Sequence, residues 1–271
     1  MITSKTITNN INRQETLMSK SISNMSSGTI STADNPSGSA IASKMEAQIN
    51  GIDRATQNAQ DGISLLQTAD GALSKVQSML QRMNELATSV ANGTMADVDR
   101  EAANIEFQEL KSSISQILKD TEFNNKSLFT SNSIDGSNNV VLQVGANSNQ
   151  TMIIDLGTMD LKFLGLEDLD ISTQDGASKA LDAVKDSIKS VSSKRSYFGA
   201  YENRLEHTIS NLDNYSENLS NAKSRITDVD MAKEMVEYTK QNLLAQTNIN
   251  LLQMYLDLRE SNAKALLSSF L

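Results

Sequence analysis

The stretch MEAQINGIDRATQNAQDGISLLQTADGALSKVQSMLQRMNELATSV, residues 45–90, decides the fold because its apolar residues return every seven positions. One row comprises Met45, Ile52, Ala59, Leu66, Leu73, Leu80 and Ala87. A second row comprises Ala55, Ala69, Val76, Met83 and Val90, with Gly62 as its weak member. A heptad repeat of this length predicts a long helix that packs in a coiled coil or rod.

The rest of the chain extends this helical pattern around a different central region. A second heptad row comprises Ala177, Val184, Val191, Phe198, Leu205, Leu212, Leu219 and Ile226, and a shorter helix fits residues 97–120. Residues 121–175 are rich in Asn, Ser and Gly and contain two β-type runs, 140–144 and 152–156. The predicted fold is therefore mainly α: an elongated antiparallel helical rod or coiled-coil bundle from the N- and C-terminal halves, with a small β-hairpin region in the middle.

Both ends of the chain are predicted to be amphipathic helices, over residues 4–27 and 228–271. Their apolar stripe comprises Ile7, Ile11, Met18, Ile22, Met25, Met231, Met235, Leu244, Leu251, Tyr255 and Leu258. A short amphipathic helix is not stable alone in water and needs a partner for its apolar face. We therefore expect the two ends to pair with each other and with neighbouring copies, which is the layout of a polymer.

Pro36, the only proline, lies where the first helical pattern breaks. It lacks an N–H donor and biases the preceding residue away from helical angles. We expect Asp34, Asn35, Pro36 and Gly38 to form a hinge, with Ser37 or Ser39 capping the next helix. The predicted domains are a discontinuous terminal domain, residues 1–35 plus 227–271, and a rod domain, residues 36–226.

The composition excludes most kinds of chemistry. The chain has no cysteine and a single histidine, His207, so it offers no disulfide, thiol nucleophile or two-histidine metal site. No phosphate-binding glycine loop is present, and we predict no enzyme activity and no cofactor. The net charge of −9 argues against nucleic acid. Neither a membrane-spanning apolar run nor a cleavable signal peptide is visible.

Several segments resemble bacterial flagellin, the subunit of the flagellar filament. Residues 202–244, ENRLEHTISNLDNYSENLSNAKSRITDVDMAKEMVEYTKQNLL, are similar to the flagellin C-terminal region. Residues 57–87, QNAQDGISLLQTADGALSKVQSMLQRMNELA, are similar to its N-terminal region, and TEFNNKSLF and LQVGAN are also similar to flagellin segments. The resemblance covers nearly the whole chain and implies a short flagellin without the variable outer domains.

This resemblance implies a structural subunit that forms a helical homopolymer for swimming motility. It would be exported unfolded, without signal cleavage, and assembled outside the cell at the filament tip. The terminal helices, disordered before assembly, would line the inner tube. Implied partners are an export chaperone on the C-terminal helix, the filament cap and hook-junction proteins, and the flagellin-sensing Toll-like receptor. The receptor contact, or a contact between subunits, would use Arg82, Leu86 and Glu106.

Two alternatives stay open at this point. A hook–filament junction protein shares the terminal helices, although LQVGAN and SRITDVDMAKEM favour flagellin. A secreted adhesin or immune-modulating protein could use the same rod. The chain also departs from the family pattern: Thr29-Ile30 follows Gly28 where flagellins place an arginine, and residues 247–271 lack the usual proline.

Overall fold

A computed structural model describes residues 4–32, 35–130 and 138–268. Within these ranges the chain forms five helices and four short strands. Their bounds are α1 Ser4–Ser27, α2 Pro36–Val90, α3 Asp97–Asp120, β1 Glu122–Phe123, β2 Lys126–Ser127, β3 Asn139–Gln143, β4 Thr151–Asp155, α4 Gln174–Thr227 and α5 Met231–Ser268. The prediction of a mainly helical chain with a small central β region is confirmed.

The chain divides into two compact units, and both boundaries fall inside long helices. We call residues 1–47 with 218–271 the terminal unit and residues 48–217 the central unit. The helices α2 and α4 each contribute residues to both units. Each unit is described separately below.

The heptad rows of α2 and α4 form the core of the central unit. From Ile52 to Ala87, and from Ala55 to Val90, both rows of α2 are buried. The α4 row is buried from Ala177 to Leu205. The third helix, α3, adds Phe107, Ile114 and Leu118 to the same cluster. The seven-residue spacing places these residues on one side of each helix, so a single buried apolar seam forms among the three helices.

Two antiparallel hairpins follow α3. The first pairs β1 with β2 through Asn124 and Asn125, whose φ angles of 50° and 60° suit a tight two-residue turn. The second pairs β3 with β4 in a register that runs from Asn139 opposite Asp155 to Gln143 opposite Thr151. On β4, Met152 and Ile154 are buried, while Ile153 faces outward opposite Val141. The second hairpin matches the two runs predicted from the sequence.

Gly62 explains how the second hairpin reaches the helices. A Cβ at this position would overlap Cδ1 of Leu142 on β3 and would lie 3.4 Å from Cδ1 of Leu205 on α4. The missing side chain leaves room for Leu142 against the helical seam. The weak member of the heptad row is therefore a packing site for the β region.

The N-terminus of α2 differs from the sequence interpretation. Pro36 and Gly38 lie in the first turn of α2, and Asn35 precedes it, while Asp34 lies outside the described residues. The Gly38 N–H donates to Asn35 Oδ1 at 2.9 Å, so Asn35 caps the helix. The expectation that Ser37 or Ser39 provides the cap is wrong. Because Pro36 has no N–H and its φ angle is already helical, it suits the first position of a helix.

Replacing Asn35 with alanine is expected to destabilise the first turn of α2 by about 1 kcal/mol, because the Gly38 N–H loses its partner. The midpoint temperature for heat-induced disassembly of filaments of the full chain should fall. The matched control is Asn50→Ala, an exposed asparagine inside the same helix. An equal decrease in both variants would argue against the cap.

Candidate assembly surface

The terminal unit is built around the helices α1 and α5, which pack against each other. Gly28 ends α1 with a φ of +69°, a left-handed conformation that favours glycine. The chain then runs beside the α4–α5 junction: the Ile30 N–H donates to the Thr227 carbonyl at 2.7 Å, and the Val229 N–H donates to the Gly28 carbonyl at 3.0 Å. These two bonds hold the start of α5 next to the end of α1.

Asp230 caps α5. Its Oδ1 accepts hydrogen bonds from the backbone N–H groups of Ala232 at 3.0 Å and Lys233 at 3.2 Å. A carboxylate at a helix N-terminus also interacts favourably with the helix dipole. The DVDMAKE segment therefore contains the N-cap of α5, and Asp230 stabilises the first turn of that helix within a single chain.

The interior between α1 and α5 is small and partly polar. Ile7 and Ala245 are buried there, and so are Ser21, Asn24 and Gln241. Burying an amide side chain costs its hydrogen bonds to water, whereas burying a large apolar side chain is favourable. The α1–α5 pair is therefore weakly stabilised compared with the three-helix seam of the central unit.

The outer surface of α5 is strongly apolar. Its exposed large apolar residues are Met231, Met235, Val236, Leu243, Leu244, Ile249, Leu251, Met254, Leu256 and Leu258. Isolated exposed apolar residues are ordinary on proteins, but ten of them on several faces of one helix indicate an interaction surface. We call these ten residues the α5 apolar surface.

The residues of the predicted terminal stripe differ in burial in the single chain. Ile7 is buried, and Ile11, Met18, Met25 and Tyr255 are half-buried. The exposed members are Ile22, Met231, Met235, Leu244, Leu251 and Leu258. Sequence reasoning missed Val236, Leu243, Ile249, Met254 and Leu256. The available signal was that apolar residues in α5 lie on more than one face, whereas a helix with a single partner keeps them on one stripe.

Charge is distributed unevenly between the two units. The terminal unit contains ten Lys or Arg and nine Asp or Glu, a net charge of +1. The central unit contains fourteen basic and twenty-four acidic residues, a net charge of −10, and together the units account for the −9 of the chain. Copies of the terminal unit can therefore approach each other without strong repulsion between net charges.

Of the three residues predicted for receptor or subunit contact, two form an exposed ion pair. Arg82 Nε donates to Glu106 Oε1 at 2.8 Å, and Arg82 Nη2 donates to Glu106 Oε2 at 3.2 Å. A further hydrogen bond joins Arg82 to Glu85 at 3.2 Å. Leu86 lies one turn further along α2 but is only 7% exposed. The structure therefore presents the charged pair to solvent and packs the leucine into the core.

The geometry of this pair affects both protonation equilibria. The hydrogen bond from Arg82 lowers the pKa of Glu106, and the reciprocal bond raises the pKa of Arg82. A lowered carboxyl pKa contributes stability above the unfolded-state pKa, and this contribution is lost as pH falls through the folded-state pKa. Since both groups are exposed, the pair fixes the orientation of the side chains more than it stabilises the fold.

A second arginine clamp was missed by sequence reasoning. Arg195 lies in a second seven-residue row of α4, after the apolar Leu181 and Ile188. Its guanidinium contacts α2. Nε and Nη2 donate to the two carboxylate oxygens of Asp70 at 2.8 and 3.1 Å, and Nη1 donates to Gln77 Oε1 at 2.8 Å. The hydrogen bonds to the Asp70 carboxylate raise the pKa of Arg195. A charge inside an apolar row was the available signal for such a contact.

Both ends of the chain match models of a known protein family. The model of the bacterial flagellin N-terminal helical region matches residues 1–133, and the model of the bacterial flagellin C-terminal helical region matches residues 181–255. The chain belongs to the flagellin family. Together the two matches cover most of this flagellin and include the full length of α1, α2 and α3.

Curated relatives agree over most of their length. A flagellin from Halalkalibacterium halodurans is 50% identical over 217 residues, which cover 79% of this chain and 78% of the relative. The flagellin of Bacillus subtilis is 38% identical over 277 aligned positions, covering 89% of this chain and 90% of the relative. A 31.3 kDa core protein of the flagellar filament from Treponema maltophilum is 35% identical over 81% of both chains.

Solved structures show the same fold. The crystal structure of Bacillus cereus flagellin is 29% identical, with a TM-score of 0.50 over 58% of this chain and 88% of that one. A candidate flagellar hook-associated protein from Vibrio parahaemolyticus has a TM-score of 0.61 at 17% identity, over 72% of this chain and 100% of that one. At this identity the second likeness concerns the fold alone and does not favour the hook-junction alternative.

This flagellin is a structural subunit that polymerises into the extracellular flagellar filament. Its family is one of structural proteins, so it is not an enzyme. Among the described residues, no three side chains of the types that bind metal come together, and no helix has the length and apolar character to cross a membrane.

Proposed function

We propose that the terminal segments, residues 1–35 and 227–271, form the inner tube of the filament by burying the α5 apolar surface between copies. The observation that carries this proposal is the exposure of ten large apolar side chains along α5. Full burial of one such side chain contributes about 1.5–3 kcal/mol, which is offset in part by the cost of ordering the segment. The net charge of +1 on the terminal unit is compatible with close packing at the centre of a tube.

The α5 apolar surface would be exposed to water before assembly unless a partner binds it. We infer that an export chaperone binds α5 in the cytoplasm, because an apolar helix surface is a typical target for a groove-forming partner. The weakly stabilised α1–α5 pair is compatible with export in an unfolded state and with disorder of both ends before assembly. Filament cap and hook-junction proteins would then receive the subunit outside the cell.

We further propose that the connector between α1 and α2 acts as the joint between assembly and rod segments, with residues 36–226 as the rod. Specific residues set both ends of this connector. Gly28 ends α1, and Asn35 with Pro36 and Gly38 starts α2. Proline at this start restricts the entry angle of the chain, so the joint directs α2 as well as separating it from α1.

Seeded elongation tests the filament proposal. Purified full-length protein is added to short filament fragments, and growth is followed by electron microscopy. The full chain is expected to elongate the seeds, and deletion of residues 1–35 is expected to stop growth because α5 loses its helix partner. Failure of the full chain to elongate, or undiminished growth of the truncated chain, would contradict the proposed role of the ends.

The exposed ion pair of Arg82 and Glu106 supports a proposal of recognition by the flagellin-sensing Toll-like receptor. Arg82→Ala is expected to reduce signalling at least tenfold in a receptor reporter assay, because a charge-assisted contact with the receptor is lost. Arg54→Ala is the matched control, since Arg54 is another exposed arginine of α2. Leu86 would act indirectly by supporting the backbone beneath the pair. Signalling that is equal for wild type and Arg82→Ala removes the pair from the contact.

A further inference from the structure

Two Asn-Gly pairs occur in the sequence, and the fold places them in different environments. Asn50-Gly51 lies inside α2, whereas Asn92-Gly93 lies in the loop between α2 and α3. Asn92 and Gly93 are both exposed. Neither pair belongs to the α5 apolar surface or to the ion pair of α2 with α3. The same dipeptide can therefore be compared in a helix and in a loop of one chain.

An asparagine that precedes a glycine can lose its side-chain amide without an enzyme. The backbone nitrogen of the glycine gives up its proton and attacks Cγ of the asparagine, so that a new N–C bond forms and ammonia leaves. Water then opens the cyclic imide and gives either aspartate or isoaspartate. Glycine favours this reaction because it has no Cβ beside the attacking nitrogen and adopts backbone angles that other residues avoid. The reaction consumes only water, and it needs a peptide nitrogen that can approach Cγ.

The peptide nitrogen of Gly93 is free to make this approach. Its N–H has no hydrogen-bond acceptor in the described part of the chain. The peptides around it are held: the Asn92 N–H donates to the Ser89 carbonyl at 3.3 Å, and the Met95 N–H donates to the Asn92 carbonyl at 3.3 Å. A peptide nitrogen outside a helix or sheet ladder can turn toward the preceding side chain without losing a backbone hydrogen bond.

The side chain of Asn92 is oriented for the attack. Its Oδ1 accepts a hydrogen bond from the Thr94 N–H at 3.2 Å, and this bond folds the amide over the Gly93 peptide that lies between them. Attack on Cγ places negative charge on Oδ1, and a donor already directed at that oxygen stabilises the charge. The guanidinium of Arg100 adds a positive charge beside the same residue, because its Nη2 donates to the Asn92 carbonyl at 3.4 Å.

The pair Asn50-Gly51 has neither feature. Both residues lie well inside α2, where each peptide nitrogen donates to the carbonyl four residues earlier. Gly51 also packs closely, since a Cβ at this position would lie 2.8 Å from Cβ of Ala146 in the loop between β3 and β4. Attack on Asn50 Cγ requires local opening of the helix, and such openings are rare within a packed helix.

We propose that Asn92 is a site of spontaneous deamidation and that the helix protects Asn50 from the same reaction. The product adds one negative charge to the central unit, whose net charge is −10. In the isoaspartate product the backbone gains one carbon, and the carbonyl that accepts from Met95 and Arg100 becomes part of a free carboxylate. The modification therefore alters the connection between α2 and α3. This inference is independent of the proposed filament function.

Peptide mapping of the full-length chain by mass spectrometry tests the proposal. Purified protein is incubated at mildly alkaline pH, and the conversion of each asparagine to aspartate and isoaspartate is followed. Asn92 is expected to react at least about tenfold faster than Asn50, because Asn50 reacts only from an opened helix. In chain unfolded by denaturant the two rates are expected to agree within about threefold, since the helix no longer distinguishes the sites. Equal rates in the folded chain, or no reaction at Asn92 while the unfolded chain reacts, overturn the proposal.

The variant Gly93→Ala provides a second measurement. Gly93 does not have a positive φ, and beyond its chain neighbours the nearest atom to an added Cβ would be Nε2 of Gln174 at 3.9 Å, so alanine fits. The methyl group hinders the attacking nitrogen and is expected to slow the reaction of Asn92 at least about tenfold. The control Gly71→Ala alters an exposed glycine of α2 with open space around it and should leave the rate at Asn92 within about twofold of wild type. Undiminished deamidation in Gly93→Ala contradicts attack by the Gly93 nitrogen and overturns the proposal.

Discussion

Replacing Leu251 and Leu258 with aspartate is expected to abolish filament elongation while the central unit stays folded. The two residues lie seven positions apart on α5, so they share one face, and both are exposed in the single chain. In the proposed inner tube they become buried, where two unpaired carboxylates are strongly unfavourable. Loss of two leucine burials alone costs about 3–6 kcal/mol, which raises the critical concentration more than a hundredfold. Seeded growth followed by light scattering measures this directly.

The control for this experiment places the same charges on a different face of the helix. Gln246 and Gln253 are also exposed and seven positions apart on α5. The variant Gln246→Asp with Gln253→Asp is expected to elongate much better than the leucine double variant. If the two double variants lose elongation equally, charge on α5 matters more than the apolar surface, and the proposed packing is wrong.

The second large effect concerns the central unit. Phe198 is 1% exposed and belongs to the α4 heptad row within the helical seam. Phe198→Ala is expected to lower the free energy of unfolding by about 3–5 kcal/mol, because the apolar contacts are lost and a cavity is left. For a unit of this size the melting temperature should fall by about 10 °C. Thermal unfolding of the full chain, followed by circular dichroism, provides the measurement.

Phe163 serves as the matched control, because it is a phenylalanine of the same unit that is 62% exposed. Phe163→Ala is expected to change the stability by less than about 0.5 kcal/mol. Similar melting temperatures for the two variants would show that the heptad row does not carry the core. A large loss for Phe163→Ala alone would place the main packing on the loop that follows β4.

Periodicity made the central unit predictable. The rows through Leu66, Leu73 and Leu80 could be assigned to a core because residues seven apart on a helix share a face whatever their partner is. The runs of β3 and β4 were visible for a similar reason, since strands and turns carry local chemical signals. The match between predicted and observed bounds of α3, residues 97–120, follows from such local signals as well.

Other features depended on contacts between residues distant in the chain. In the sequence, Gly62 is only the weak member of a heptad row. Its role in packing depends on Leu142 of β3, eighty residues later. Leu86 was grouped with Arg82 and Glu106, yet its side chain packs inward while the arginine and glutamate meet at the surface. Arg195 is a charged residue in a partly apolar row of α4, and its partners Asp70 and Gln77 lie on another helix. None of these pairings has a sequence spacing that reveals it.

The terminal helices show most clearly which properties are local to the sequence and which depend on tertiary contacts. By itself the sequence determined that both ends are helical and apolar enough to need partners, because helix periodicity and composition are local properties. Only the tertiary structure decided which residues α1 and α5 bury against each other and which they leave exposed. The pair buries Asn24 and Gln241 and leaves Leu251 and Leu258 in solvent. Burial depends on the surface that a neighbouring helix presents, and a periodic pattern specifies a face without specifying its partner.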